Sequence, residues 1–175
     1  MNKKILTLIL IAFLSVIIGT SYGIIHNFIT SSISTEFYTK FIFFKFVVLD
    51  DYSRQFSGNW TFPLTWIGFF STGWFGLLTG LVLGVIALEC KSVKIMLVKT
   101  LKSILIVIGI AIISGFVGYI FAELNPSEII TNYNYPFEIE NKIAFNKVKT
   151  IHNFSYLGGI VGLIIGVLNQ IKKWW

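Results

Sequence analysis

The sequence predicts an all-α membrane protein of four transmembrane helices, read as two parallel helical-hairpin repeats beneath a small outer cap. Three observations lead there. The chain is 55% hydrophobic and only 13% charged, with a mean hydropathy of +0.79, whereas about a quarter of the residues of a soluble domain are charged. Four separate stretches are apolar for the roughly 20 residues that a helix needs to cross about 30 Å of hydrocarbon. The glycines within these stretches recur in a fixed pattern.

The first span runs over about 5–25, behind Lys3 and Lys4. That shape also suits a signal peptide, but the run is long and no Ala-x-Ala cleavage site follows, so an uncleaved span is expected. The loop over 27–65 is long and not uniformly polar. Its stretch "FYTKFIFFKFVVL" is too short and too interrupted by lysine to span. It is expected to lie in the interface, or to form a strand paired with "EIENKIAFNKVKT" of the loop over 123–150, where Glu138, Glu140 and Lys142 alternate with Ile139 and Ile143.

The second span covers about 66–88, and the connection over 89–103 reads as an amphipathic helix. At 100° per residue Lys91, Lys94, Lys99 and Lys102 share one face, with Val93, Met96, Leu97 and Leu101 on the other. Such a helix lies on the inner leaflet, its lysines on anionic lipid. The third span follows over 104–122 and the fourth over 151–171. With the amino terminus inside, eight cations flank the inner span ends and six lie outside. The positive-inside bias therefore expects both termini in the cytoplasm of a multi-pass cell-membrane protein.

Gly76, Gly80 and Gly84 of the second span match Gly158, Gly162 and Gly166 of the fourth. Glycines four apart line one helix face and let two backbones approach closely. "IIGTSYGII" and "IISGFVGYI" add a weaker echo between the first and third spans, so duplication of a hairpin is the simplest account. The second and fourth spans are then expected to meet each other, or their copies in a neighbouring subunit of a homo-oligomer.

Composition also excludes some functions. The net charge of +6 accompanies no basic run on a foldable soluble domain, which argues against nucleic acid, and the single cysteine excludes an internal disulfide or a cysteine-based metal cluster. Seventeen phenylalanines, five tryptophans and seven tyrosines suit lipid-facing surfaces and interfacial belts. No HExxH, CxxC or GxSxG motif is present.

The two histidines stand in identical tetrapeptides, "IHNF" at Ile25–Phe28 and again at Ile151–Phe154. His26 ends the first span and His152 begins the fourth, so both reach the outer interface. Glu123, Asn27, Thr30 and Asn153 arrive at the same depth. Polar groups there face protein or water more often than lipid. Two imidazoles and a carboxylate, His26, His152 and Glu123, suit a divalent metal, and a histidine beside a carboxylate suits proton relay. The plainer expectation is that the histidines are interfacial caps.

"YGIIHNFIT" followed by "STEFYTKF" resembles uncharacterised small bacterial membrane proteins that carry a His-Asp-x-Ile/Val-Thr motif after the first span and a Glu-Tyr-Phe-Thr-like motif beyond it. His26, Ile29, Thr30 and Glu36 match; Asn27 replaces the aspartate, and Phe37-Tyr38 inverts the aromatic pair. The resemblance covers the first half and implies no known activity.

Three functional classes follow. The first is an inner-membrane component, not an enzyme, whose outer cluster of His26, Asn27, Thr30, Glu36, Glu123, His152 and Asn153 organises the cap and binds a ligand or partner. The second is a small oligomeric transporter or channel, with Thr79 and Asn169 as path-lining residues. The third is a membrane metalloprotein or enzyme built on His26, Glu123 and His152.

Overall fold

The computed structural model describes residues 3–46, 58–126 and 139–171. Among the described residues every regular element is helical and none is a strand. Four long helices dominate: α1 (Lys3–Ile33), α2 (Thr61–Ile86), α3 (Val93–Leu124) and α4 (Lys142–Ile171). Each is long and apolar enough to cross a membrane. Their large side chains point outward rather than in, with Phe13, Leu105, Ile113 and Leu157 all more than half exposed. An apolar surface of that extent is a lipid-facing one. The chain is an all-α, four-helix membrane protein, as its composition predicts.

Antiparallel α1 and α2 pack into one hairpin, α3 and α4 into another, and the two hairpins touch each other far less. Within each hairpin the glycines set the spacing, and they do so in one shared register. Gly19 faces Gly76 as Ser114 faces Gly158; Ala12 faces Gly80 as Val107 faces Gly162; Gly23 faces Thr72 as Gly118 faces Phe154. The offsets are constant, 95 residues from α1 to α3 (Gly19 to Ser114) and 82 from α2 to α4 (Gly76 to Gly158). The sequence repeat is therefore also a repeat of packing. At one level the partners trade sides: Thr20 of α1 faces Gly73 of α2, whereas Gly115 of α3 faces Ser155 of α4.

This corrects the expected partners of the glycine faces. Gly76, Gly80 and Gly84 lie against α1, and Gly158 and Gly162 against α3, so α2 and α4 do not meet through them. Gly166 lies beside Ser103 of α3, with Leu83 of α2 also in reach. A face filled from within the chain is not open to a second subunit. The physical reason is close approach: the small residues of α1 and α3 give the neighbouring helix of the same hairpin a groove that its glycines fit.

Two further expectations change. The lysine-rich segment is not a separate helix on the leaflet, because α3 begins at Val93, capped by Ser92 Oγ accepting from Ile95 N, and continues unbroken to Leu124. Its apolar face packs on protein: Met96 joins Ile11, Ala87 and Cys90 in a buried cluster at the end of the bundle that carries the termini.

The expected strand pair is helical. Residues Thr35–Phe37 form a helical turn, Tyr38–Ile42 a π-helical one and Phe43–Lys45 another helical turn, while α4 already starts at Lys142. Ser34 and Asn141 explain both starts, since the side-chain oxygen of Ser34 accepts from Phe37 N and that of Asn141 from Ala144 N. Glu138 and the Val47–Leu49 end of the first stretch lie outside the described residues. The cap itself is present, held by a buried cluster that joins Phe37, Tyr38, Ile42 and Phe43 to Leu64 and Ile67 of α2 and Phe145 and Val148 of α4.

Candidate functional site

The repeated tetrapeptide brings its histidines into contact. The rings of His26 on α1 and His152 on α4 meet edge to face, with centroids 4.6 Å apart. His152 is buried, and its Nε2 lies 3.3 Å from Thr30 Oγ1 and 3.4 Å from the Tyr38 hydroxyl. Thr30 and Tyr38 are themselves 2.6 Å apart. Thr30 donates to the carbonyl of His26, one turn back at 2.7 Å, so its oxygen is left to accept. Tyr38 offers one proton to Thr30 and to Asn27 Oδ1, the latter at 3.1 Å, and Asn27 Nδ2 donates to the carbonyl of Leu64 at 3.2 Å.

Counting protons assigns the tautomer. Both hydroxyl protons are used, so His152 Nε2 is satisfied as a donor into this network. Burial pushes the Tyr38 phenol up from its ordinary value, partly offset by the Thr30 hydrogen bond, which keeps it a neutral donor. The result is a closed polar network that ties α1, the cap, α2 and α4 together. A buried polar group left unpaired costs about 1–3 kcal/mol, so closure is what makes this network a stabilising one.

Other expected site residues fall elsewhere. Glu36 belongs to the cap: Lys40 Nζ approaches its carboxylate at 2.7 Å, and the backbone N–H groups of Glu140 and Asn141 donate to it at 3.0 and 2.8 Å. An anion on the N–H groups that open α4 is favourable for the helix dipole. Burial pushes the Glu36 carboxyl up, but the hydrogen bonds from Lys40 and the two backbone amides outweigh it and hold it below the ordinary value. Glu123 is exposed and pairs with Lys147, whose ammonium also sits over the Tyr119 ring. Asn153 is exposed as well.

The expected triad of His26, His152 and Glu123 is therefore not assembled. Among the described residues no three His, Cys, Asp or Glu side chains gather at metal-holding distance. Moreover, the nitrogen that His152 turns toward Thr30 and Tyr38 carries a proton in the assigned tautomer.

Beneath this network the halves part, leaving two clefts. The larger, about 630 Å³, is bounded by all four helices, from Ser15 and Tyr22 of α1 to Thr79 of α2, Ile108 of α3 and Tyr156 of α4, with Lys45 and Phe46 of the cap beside it. The smaller, about 580 Å³, runs between α1 and α3 past His26 and Phe116, with Ser155 of α4 at its floor. Both are mainly apolar, and both include Tyr22 and Ser155. Among the described lining residues, Thr79 Oγ1 and His26 Nε2 are buried without a hydrogen-bonding partner, and the Tyr22 and Ser155 hydroxyls interact with each other.

Tyr38, Tyr22, Ser155 and Lys45 were not singled out from the sequence as site residues. Tyr38 sits among apolar aromatics in "FYTKFIFF", where nothing in the pattern marks one ring as a hub. Ser155 had a detectable signal, since it takes the place of Gly73 in the repeat. Compared with protein families, curated proteins and solved structures, the chain matches none of them.

Proposed function

We propose that this protein is a membrane component that takes an amphiphilic molecule from the bilayer into the cleft between its two hairpins. One observation carries the reading: a cleft of about 630 Å³ bounded by all four helices, apolar along its walls yet lined by the hydroxyl-bearing residues Tyr22, Thr79 and Ser155, of which Thr79 Oγ1 is buried without a partner. Apolar walls with a few convergent polar atoms are the usual constitution of a small-molecule site. Lys45 beside the cleft suits an acidic or strongly dipolar head group.

The closed network of Asn27, Thr30, Tyr38 and His152 then serves as the fixed roof of the site rather than as its chemistry. The lysine distribution supports a bacterial inner-membrane setting with both termini in the cytoplasm, the cap outside, and Lys91, Lys94, Lys99 and Lys102 on anionic head groups of the inner leaflet.

The test is native mass spectrometry of the protein released from lipid nanodiscs. Wild type should retain a bound amphiphile through gentle activation, and Thr79→Phe, which puts a ring into the cleft, should lose it. A bare wild type, or equal retention by both proteins, would sink the reading.

A further inference from the structure

We infer that the groove between α1 and α3 is a second site, one that binds the head of an uncharged, lipid-soluble molecule bearing a carbonyl or hydroxyl, with His26 as its principal hydrogen-bonding partner. Three observations converge on it. His26 Nε2 is buried and unpartnered, and Tyr22 and Ser155, whose hydroxyls interact with each other, line the same groove. Ser155 is 5% exposed, so its hydroxyl has no recourse to bulk solvent. The contrast with His152 is informative. Two imidazoles in edge-to-face contact have opposite fates, one satisfied by Thr30 and Tyr38, the other left without a partner on a residue that lines the groove.

The second observation concerns charge. Among the described residues, no lysine, arginine, aspartate or glutamate lines this groove. The charges beside it are already committed, since Lys147 sits over the ring of Tyr119, a lining residue, and pairs with Glu123. A phosphate or carboxylate buried here would lie uncompensated, which is strongly unfavourable in a low-dielectric site. A neutral head has no such penalty, and a carbonyl or hydroxyl meets what the lining offers: an imidazole nitrogen that donates or accepts, on a residue beside Tyr22 and Ser155. In this respect the groove differs from the central cleft, which has Lys45 beside it.

The third observation is access. Ile25 and Ile29 of α1 and Ile112 and Phe116 of α3 line the groove and are each more than half exposed on the lipid-facing surface. An apolar tail can therefore remain in the acyl region while the head turns inward to His26. The clefts share Ile18, Tyr22, Ile108 and Ser155, so these four residues form the wall between the sites.

The experiment titrates nanodisc-embedded protein with three probes, dioleoylglycerol, decyl-benzoquinone and dioleoylphosphatidylglycerol, and reads occupancy by native mass spectrometry. At least one uncharged probe should bind wild type and lose about fivefold to tenfold in affinity in His26→Phe, which keeps ring shape but removes the hydrogen bond. His26→Gln should recover part of that loss. Ser155→Ala, a smaller change, serves as a second variant if His26→Phe is unstable, and should weaken the same probe. Thr79→Phe should leave the His26-dependent binding in place even where it empties the central cleft, which separates failure of this site from failure of the first. Equal binding of every uncharged probe to wild type, His26→Phe and Ser155→Ala would overturn the proposal. So would a His26 effect confined to the anionic lipid.

Discussion

Gly162→Ala tests how the hairpins hold. A Cβ at Gly162 would stand 2.8 Å from Val107 Cα and 2.9 Å from Val107 O, where ordinary contact is 3.4–4 Å. Both neighbours are backbone, so no side chain can turn aside, and α3 and α4 must separate by roughly half an ångström or more along a close-packed seam. Overpacking of this kind costs about 1–3 kcal/mol. Gly109→Ala is the matched control, because a Cβ there meets nothing within 4 Å. It brings only a gain in helix propensity, up to about 1 kcal/mol in water. Gly80→Ala should also destabilise, since its Cβ would stand 2.6 Å from Ser15 Cβ, which side-chain rotation does not move, and 3.1 Å from Ala12 Cα. Reversible unfolding in mixed detergent micelles, followed by circular dichroism, should place Gly109→Ala highest in stability and both Gly80→Ala and Gly162→Ala below it. A Gly162→Ala protein as stable as the Gly109→Ala control would refute the argument that backbone approach at this seam sets the fold.

Two predictions concern the cap and its side of the membrane. Glu36→Gln removes the charge that faces Lys40 and the Glu140 and Asn141 amides, at a cost of about 1–2 kcal/mol, and hydrogen exchange at those two amides should quicken by about tenfold. Because the Glu36 carboxyl is held below its ordinary value, its stabilisation is fully present above that value and is lost as pH falls through the lowered one. Wild type should therefore lose protection at the start of α4 in acid, measured against the intrinsic exchange rate at each pH, and Glu36→Gln should show no such transition. Gly58→Cys, exposed just ahead of α2 and placed in a Cys90→Ser background, should react in intact cells with a membrane-impermeant maleimide; labelling only after the cells are opened would reverse the topology.

Much of the fold was legible because the relevant forces are local or periodic. Span length, apolar content and the four-residue glycine spacing are properties of single helices, and each survives in the structure. What the glycines could not announce was their partner. Gly162 reads the same whether Val107 or another copy of the chain lies across from it. The strand alternative for the cap rests on the alternation at Glu138–Ile143, whereas the side-chain oxygens of Ser34 and Asn141 are the stronger start signals and open helices there. The candidate site was half legible. Topology brought His26 and His152 to one level and the structure puts their rings in contact, but Glu123 was placed by depth alone and depth carries no azimuth. Its exposed position on α3 gives it to Lys147.

The constant register of the two hairpins has a mechanical consequence. Each hairpin is stiffened along its length by backbones in contact, while the seam between hairpins is fastened through side chains, by the Tyr38–His152 network above, the Met96–Ile11 cluster below, and Leu83 of α2 packed with Ile104 and Val107 of α3 between them. Two stiff staves joined through side chains shift against one another more easily than either bends, and Tyr22, Thr79 and Ser155 stand along that joint.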